Sequence, residues 1–325
     1  MSVAGETLLE VRELCVSFAV RHRGRSLRLR ALEGVSLDLE RGQTLGVVGE
    51  SGSGKSTLAR ALLRLTEVES GRVRFRGRDL LALRGAALQR MRAHLQMIFQ
   101  DGIAALDPRQ RLGSVLAEPL QIFRPELSAT RRRDCVIAML ERVGLEAAHL
   151  SRYPHQFSGG QAQRIGIARA LMLEPDLVVC DEPLSSLDVS IKAQITDLLQ
   201  RLQRELRLSL LFIAHDLPAV KLLCDRVLVL YLGRVMESAS REALFHAPRH
   251  PYTRALLQSV PIPDPQRARR RAAPVAGEPP SSLAPPSGCV FRTRCVHAIE
   301  RCAQEVPALR RVGDSDVACH RAEDI

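Results

Sequence analysis

Apolar and polar residues alternate from the start of the chain. Leu9, Val11, Leu14, Val16 and Phe18 mark residues 8–20, and Val35, Leu37 and Leu39 repeat the pattern before Arg41-Gly42. Period-two alternation predicts strands with one buried face, joined here by an arginine-rich loop over residues 21–30. Residues 44–48 read as a short apolar strand, a glycine-rich loop follows, and Leu58, Ala61, Leu62 and Leu65 then recur at helical spacing. Strand, glycine loop and helix in that order is what a phosphate-binding loop needs.

From residue 101 to residue 157 the chain turns helical and polar, interrupted by Pro108, Pro119, Pro125 and Pro154. This predicts an inserted helical subdomain, about residues 101–165. Residues 177–180 and, but for Ser209, 208–214 are apolar runs, the mark of parallel strands buried on both faces, with a helix over 189–206 between them. The fold class is α/β. Proline and arginine accumulate over residues 261–287, predicting a linker, and a short cysteine-containing tail, residues 288–325, closes the chain.

Gly49-Glu50-Ser51-Gly52-Ser53-Gly54-Lys55-Ser56 matches the pattern of a glycine, four residues, then Gly-Lys-Ser/Thr. Its glycines let successive backbone amides converge on phosphate oxygens, and the helix that follows presents its positive end. Lys55 neutralises phosphate charge and Ser56 supplies a hydroxyl to magnesium, so ATP with Mg2+ is the expected ligand. Asp181 and Glu182 follow the apolar run 177–180 at the carboxyl end of a predicted parallel strand, where open sheets put ligands. Asp181 is the expected magnesium carboxylate and Glu182 the general base for the attacking water. His215 ends the run 208–214 and Gln100 follows Met97-Ile98-Phe99, so both are expected at strand ends near the γ-phosphate. Ser158-Gly159-Gly160-Gln161 opens another predicted helix and makes a second phosphate-binding element. One nucleotide has little use for both in one chain, so the second is expected to serve ATP held by another subunit.

In this order the motifs resemble those of the ABC ATPase family, across residues 8 to about 240. The resemblance makes residues 49–57, through Thr57, the Walker A loop and Gln100 the Q-loop, with magnesium held through Ser56, Gln100 and Asp181. It makes Ser158–Gln161 the signature and Asp181-Glu182 the Walker B pair, with Asp188 in the D-loop and His215 as switch histidine. Phe18 aligns with the aromatic that stacks on adenine. The implied fold is an ABC-type P-loop NTPase over residues 1–260, with a mixed sheet core, an antiparallel β subdomain and the helical insertion.

His250-Pro251-Tyr252-Thr253-Arg254-Ala255-Leu256-Leu257 and Pro285-Pro286-Ser287-Gly288-Cys289 are similar to the C-terminal signature of dipeptide and oligopeptide importer ATPases. Tyr153-Pro154-His155 and Asp107-Pro108-Arg109 point the same way. This resemblance implies ATP hydrolysis that drives peptide uptake, and nickel and glutathione importers share the plan. It implies a paralogous ATPase partner docked head to tail, two membrane permeases, and an extracytoplasmic solute-binding protein that delivers the substrate. Gly102, Asp107, Phe157, Cys180 and Ser186 depart from the family's usual residues, and none of them removes a catalytic group.

Charge and composition sharpen this picture at three points. The apolar runs fall short of the roughly 20 residues that span a bilayer, and Glu6 and Glu10 in the first residues do not make a secretion signal. A cytosolic location is therefore expected, and the importer resemblance implies a peripheral position on the cytoplasmic face of the inner membrane. The formal charge of +11 is nearly all arginine, since lysine occurs only at Lys55, Lys192 and Lys221. With 3% aromatics and no tryptophan the chain is poor in stacking platforms, so no nucleic-acid partner is expected and a soluble ABC ATPase acting on nucleic acid or ribosomes is the weaker alternative. Finally, Cys289, Cys295, Cys302 and Cys319 gather in the tail. Four thiolates suit an iron-sulfur cluster or zinc, and disulfides do not persist in a reducing cytosol. Importer ATPases with this tail resemble carriers of a [4Fe-4S] centre, which ranks the cluster above zinc, with a structural role.

Overall fold

The computed structural model describes residues 6–22, 24–102, 106–259 and 277–325. The expected linker thus lies largely outside the described residues, and its part from residue 277 to 287 carries neither helix nor strand. The chain forms two compact units. One gathers the described residues of Met1–Leu8, Leu39–Thr44 and Arg78–Leu223, the other those of Leu9–Asp38, Leu45–Gly77 and Cys224–Ile325.

The second unit carries the phosphate loop. Strand Thr7–His22 lies between Arg25–Glu40 and Ser70–Phe75, pairing antiparallel with the latter. Leu9, Val11, Leu14 and Val16 are all fully buried, although 9/11 and 14/16 differ in phase. The slip falls where the register shifts between Arg12 and Cys15 and Glu13 adopts φ 49, so a bulge returns the apolar face to the core. The segment expected to be a loop is instead mostly strand, because Arg25–Glu40 forms an edge, where charged side chains stay solvated.

In the same unit Thr44–Val48, buried along its whole length, pairs parallel with Arg226–Tyr231, which pairs antiparallel with Arg234–Ser240. The tail completes this mixed sheet: Ser315–Val317 adds antiparallel to Arg234–Ser240, and Arg310–Val312 adds to Ser315–Val317. Val312, Val317 and Ala322, with Cys319 against them, form a small core there. Strand addition and this core therefore order the tail through its own polypeptide.

The first unit stacks Leu95–Ile98, Leu177–Asp181 and Ser209–Ile213 as three parallel strands. Every residue of the last two is buried, Asp181 and Ser209 included, as their predominantly apolar runs predict. Helix Val189–Leu206 lies between them in the chain. The helical insertion contains Leu112–Phe123 and Ala129–Arg142 and leads to Gly159–Leu171. Pro119 was expected to interrupt it, yet Leu112–Phe123 runs through that position. The helix forgoes one backbone bond there and is held by burying Leu112, Val115, Leu116 and Leu120. Among the described residues no helix is long and apolar enough to cross a membrane.

Candidate functional site

The phosphate loop leaves the buried strand Thr44–Val48 and enters helix Lys55–Leu62. Gly49 is required by sterics: a Cβ there would stand 2.2 Å from the carbonyl oxygen of Leu230. Ser53 is buried and its carbonyl accepts from Gly233 N–H at 2.9 Å. Lys55, 5% exposed, donates from Nζ to the carbonyls of Gly49 (2.8 Å) and Glu50 (2.9 Å). An ammonium is thus stored at the loop, with Ser51 and Gly52 exposed and Ser56 and Thr57 half-buried at the helix start. Phe18 is 38% exposed on strand Thr7–His22, an uncommon setting for a phenylalanine that served only to fill a core.

In the other unit, three parallel strands deliver their chemistry at the same end. Gln100 is exposed just beyond Leu95–Ile98, Asp181 ends its strand at 6% exposure, and His215 follows Ser209–Ile213. Glu182 takes the left-handed φ of 48°, a conformation rare for a side chain larger than glycine. Its N–H donates to Ile213 O at 3.0 Å, which holds that strained backbone in place. Its carboxylate Oε2 stands 3.3 Å from His215 Nδ1. Cys180, fully buried behind the pair, has its thiol pushed up to about 12 by burial and then by Asp181, so it is an inert neutral packing group.

The signature element lies in this unit too. Ser158 caps helix Gly159–Leu171 by a reciprocal box: Ser158 Oγ accepts from Gln161 N–H, and Gln161 Oε1 accepts from Ser158 N–H at 3.1 Å. Asp188 caps Val189–Leu206, accepting from Ile191 N–H (3.0 Å) and Ser190 Oγ (2.8 Å). The Ile191 N–H bond, reinforced by the Ser190 hydroxyl, holds its carboxyl below the usual aspartate range. A Cβ on Gly160 would stand 2.8 Å from the Ile191 side chain, so the signature glycines and the D-loop helix touch directly. Gly102, beyond the Q-loop, approaches the same signature helix; a Cβ there would lie 2.8 Å from Ala162 O. Any side chain at this position meets that carbonyl, which is a steric reason for glycine here.

The expected magnesium donors, Ser56, Gln100 and Asp181, are all oxygen ligands, which is the hard set Mg2+ takes. The tail cysteines fit a metal less well. All four are free thiols, Cys289 and Cys302 buried and Cys295 and Cys319 half-buried. Burial first, then the neighbouring thiols, push Cys289 up to about 11. Among the described residues, however, no group of three or more His, Cys, Asp or Glu side chains is arranged to hold a metal. Sequence reasoning missed Arg294, Tyr231 and the role of Tyr252, which surround Glu50 of the phosphate loop. No motif spacing links residues so far apart in the chain.

A glycine loop that stores a lysine, with a carboxylate pair and histidine at parallel strand ends, defines a P-loop ATPase. Residues 32–185 match the family model described as ABC transporter, and residues 236–302 match that of the oligopeptide/dipeptide transporter C-terminal region. The chain is 50% identical to the oligopeptide transport ATP-binding protein OppF of Salmonella typhimurium, covering 98% of each. It is 52% identical to a putative peptide import ATP-binding protein of Brucella ovis, covering 94% of each. A dimeric ATP-binding cassette solved in a post-hydrolysis state with ADP and Pi superposes with TM-score 0.65 at 26% identity, covering 72% of this chain and 99% of that one. The cbiO1 protein of Clostridium perfringens, part of an ABC transporter complex, gives TM-score 0.64 at 27% identity, with coverage of 74% and 92%. The chain belongs to the ABC transporter ATPases, in the branch that carries the oligopeptide/dipeptide transporter C-terminal region, and it hydrolyses ATP.

Proposed function

We propose that this chain powers the import of oligopeptides or dipeptides, as the ATPase subunit of a transporter with two permeases, a paralogous ATPase and an extracytoplasmic solute-binding protein. The observation that carries the catalytic part is the Glu182 carboxylate 3.3 Å from His215, at the shared end of three parallel strands. The match of residues 236–302 supports peptide as the substrate class. The chain would sit peripherally on the cytoplasmic face of the membrane.

In this reading the amides of residues 49–54 cradle the phosphates of ATP and Lys55 turns from its own loop carbonyls to the phosphate oxygens. Phe18 stacks on adenine. Ser56, Gln100 and Asp181 would hold magnesium, which when bound would neutralise developing phosphate charge. Glu182 takes the proton of the attacking water, and His215 orients that carboxylate and the γ-phosphate. Ser158, Gly159, Gly160 and Gln161 offer amides and a hydroxyl to ATP held by the partner ATPase, beside Asp188. The test is reconstitution with the cognate permeases and binding protein in vesicles. Tripeptide uptake that requires ATP is expected, whereas ATP-driven uptake of nickel or glutathione but not peptide would refute the substrate assignment.

We also propose a [4Fe-4S] cluster on Cys289, Cys295, Cys302 and Cys319, with zinc as the alternative. Their support is four unpaired thiols in one tail, within range of each other's charge. Closing a ligand set there requires local rearrangement of the side chains. Anaerobically purified protein should be brown and lose its colour in Cys295→Ser; colourless protein with stoichiometric zinc moves the assignment to zinc, and protein free of both metals refutes it.

A further inference from the structure

The cysteine-bearing tail reaches the phosphate loop. Arg294, its side chain only 7% exposed, places Nη1 2.8 and 3.0 Å from the two carboxylate oxygens of Glu50. The same nitrogen donates to Tyr231 Oη at 3.2 Å, and the guanidinium lies over the rings of Tyr231 (5.8 Å) and Phe291 (6.0 Å). Glu50 is gripped twice more: its N–H donates to Tyr252 Oη at 2.9 Å, and its carbonyl accepts from Lys55 Nζ. Tyr231, Tyr252 and Phe291 pack against one another with ring centroids 4.7–5.4 Å apart, making an aromatic shelf under the guanidinium. Arg294 is itself anchored by tight turns, with Arg292 N–H donating to Cys289 O and Arg294 N–H to Phe291 O.

Glu50 follows Gly49, the first residue of the loop. A carboxylate beside a polyphosphate site repels its ligand unless a cation neutralises it, and the repulsion grows as water is excluded. A charge-assisted contact from one fixed cation to both oxygens both neutralises the group and fixes its direction. We infer that Arg294 is a positioning residue for the phosphate loop: it neutralises Glu50 and holds the loop's second residue, so the tail sets nucleotide affinity. This rests on residues 49–57 being the ATP loop, and the variants below separate the two ideas.

The assay is ATP titration of steady-state hydrolysis in the assembled transporter, with equilibrium binding of a fluorescent ATP analogue. Arg294→Met keeps an apolar stem on the aromatic shelf and removes the charge. It should raise KM and Kd about tenfold, the effect of leaving one charge of a largely buried pair alone, with kcat within twofold. Arg294→Lys should recover most of that loss, because a single nitrogen makes both contacts. Adding Glu50→Gln to Arg294→Met removes the lone carboxylate and should bring Kd within threefold of the parent. A purely structural role would lower thermal stability and active fraction while leaving KM unmoved. KM within twofold in folded Arg294→Met, or no relief by Glu50→Gln, overturns the inference. If Arg294→Met does not fold, the Glu50→Gln/Arg294→Met pair must still fold and bind within threefold, and its failure overturns the inference equally. Lys55→Ala is the control: unchanged nucleotide affinity there would mean that the loop assignment itself is wrong.

Discussion

Replacing Glu182 by glutamine separates chemistry from architecture because the structure allows both effects to be sized. Glutamine is isosteric, and the N–H bond to Ile213 O (3.0 Å) does not involve the side chain. The left-handed φ of 48° costs about 1–3 kcal/mol for either residue and cancels in the comparison. The carboxylate's contact to His215 is lost, but the histidine side chain is 54% exposed and the carboxylate 20% exposed, so solvent screening holds that loss to about 1 kcal/mol at most. Loss of a general base, in contrast, slows turnover by about 10²–10⁴, or about 3–5.5 kcal/mol of barrier. Three measurements on the reconstituted complex check this: steady-state turnover, equilibrium ATP binding and thermal unfolding. Turnover should fall at least about a hundredfold, with ATP affinity and melting temperature close to the parent's and ATP accumulating in a closed ATPase dimer. Hydrolysis at the parent rate would falsify the assignment, and so would a rate loss accompanied by an equal loss of binding.

Gly102→Pro puts ring atoms where even a Cβ lies 2.8 Å from Ala162 O, so it should destabilise the first unit by about 1–3 kcal/mol in denaturant unfolding; stability equal to the parent's would show that the close approach is not maintained. His250 is 1% exposed, and burial, partly offset by the Ala318 backbone, pushes its imidazole down to about 3 from 6.5. Between those values the unfolded chain binds the extra proton, so stability is retained above pH 6.5 and lost as pH falls below it, by about 2 kcal/mol at pH 5. His250→Asn, which keeps a side-chain acceptor for Tyr252 N–H, should flatten that pH slope, and an unchanged slope would assign it to other groups. Because the signature is proposed to complete another subunit's site, the isolated chain at high dilution should hydrolyse ATP slowly and gain activity with its partner ATPase and permeases; full activity from a strict monomer contradicts this.

The groups proposed as catalytic stand out in the chain because each belongs to a local pattern. Gly49 through Ser56 must be contiguous to wrap phosphate between a strand and a helix. Asp181, Glu182 and His215 each follow a short apolar run that reads as a buried parallel strand, whose end is where open sheets put ligands, and the phosphate loop promotes them from ordinary strand-end residues. Other features were decided by packing. The bulge at Glu13 is invisible to a count of alternating residues, since the phase slip becomes meaningful only when Leu14 and Val16 must meet the same core as Leu9 and Val11. Helix Leu112–Phe123 runs through Pro119 because burial of its apolar face outweighs one missing backbone bond. The tail is ordered by pairing Ser315–Val317 with Arg234–Ser240, a register that no local pattern specifies. Arg294 is the clearest case: among the many arginines of this chain, only tertiary contact brings it to Glu50, 244 residues away in sequence. A charge pair at that separation leaves no periodicity to read, because it depends on where two distant segments of backbone end up and not on what lies beside either one.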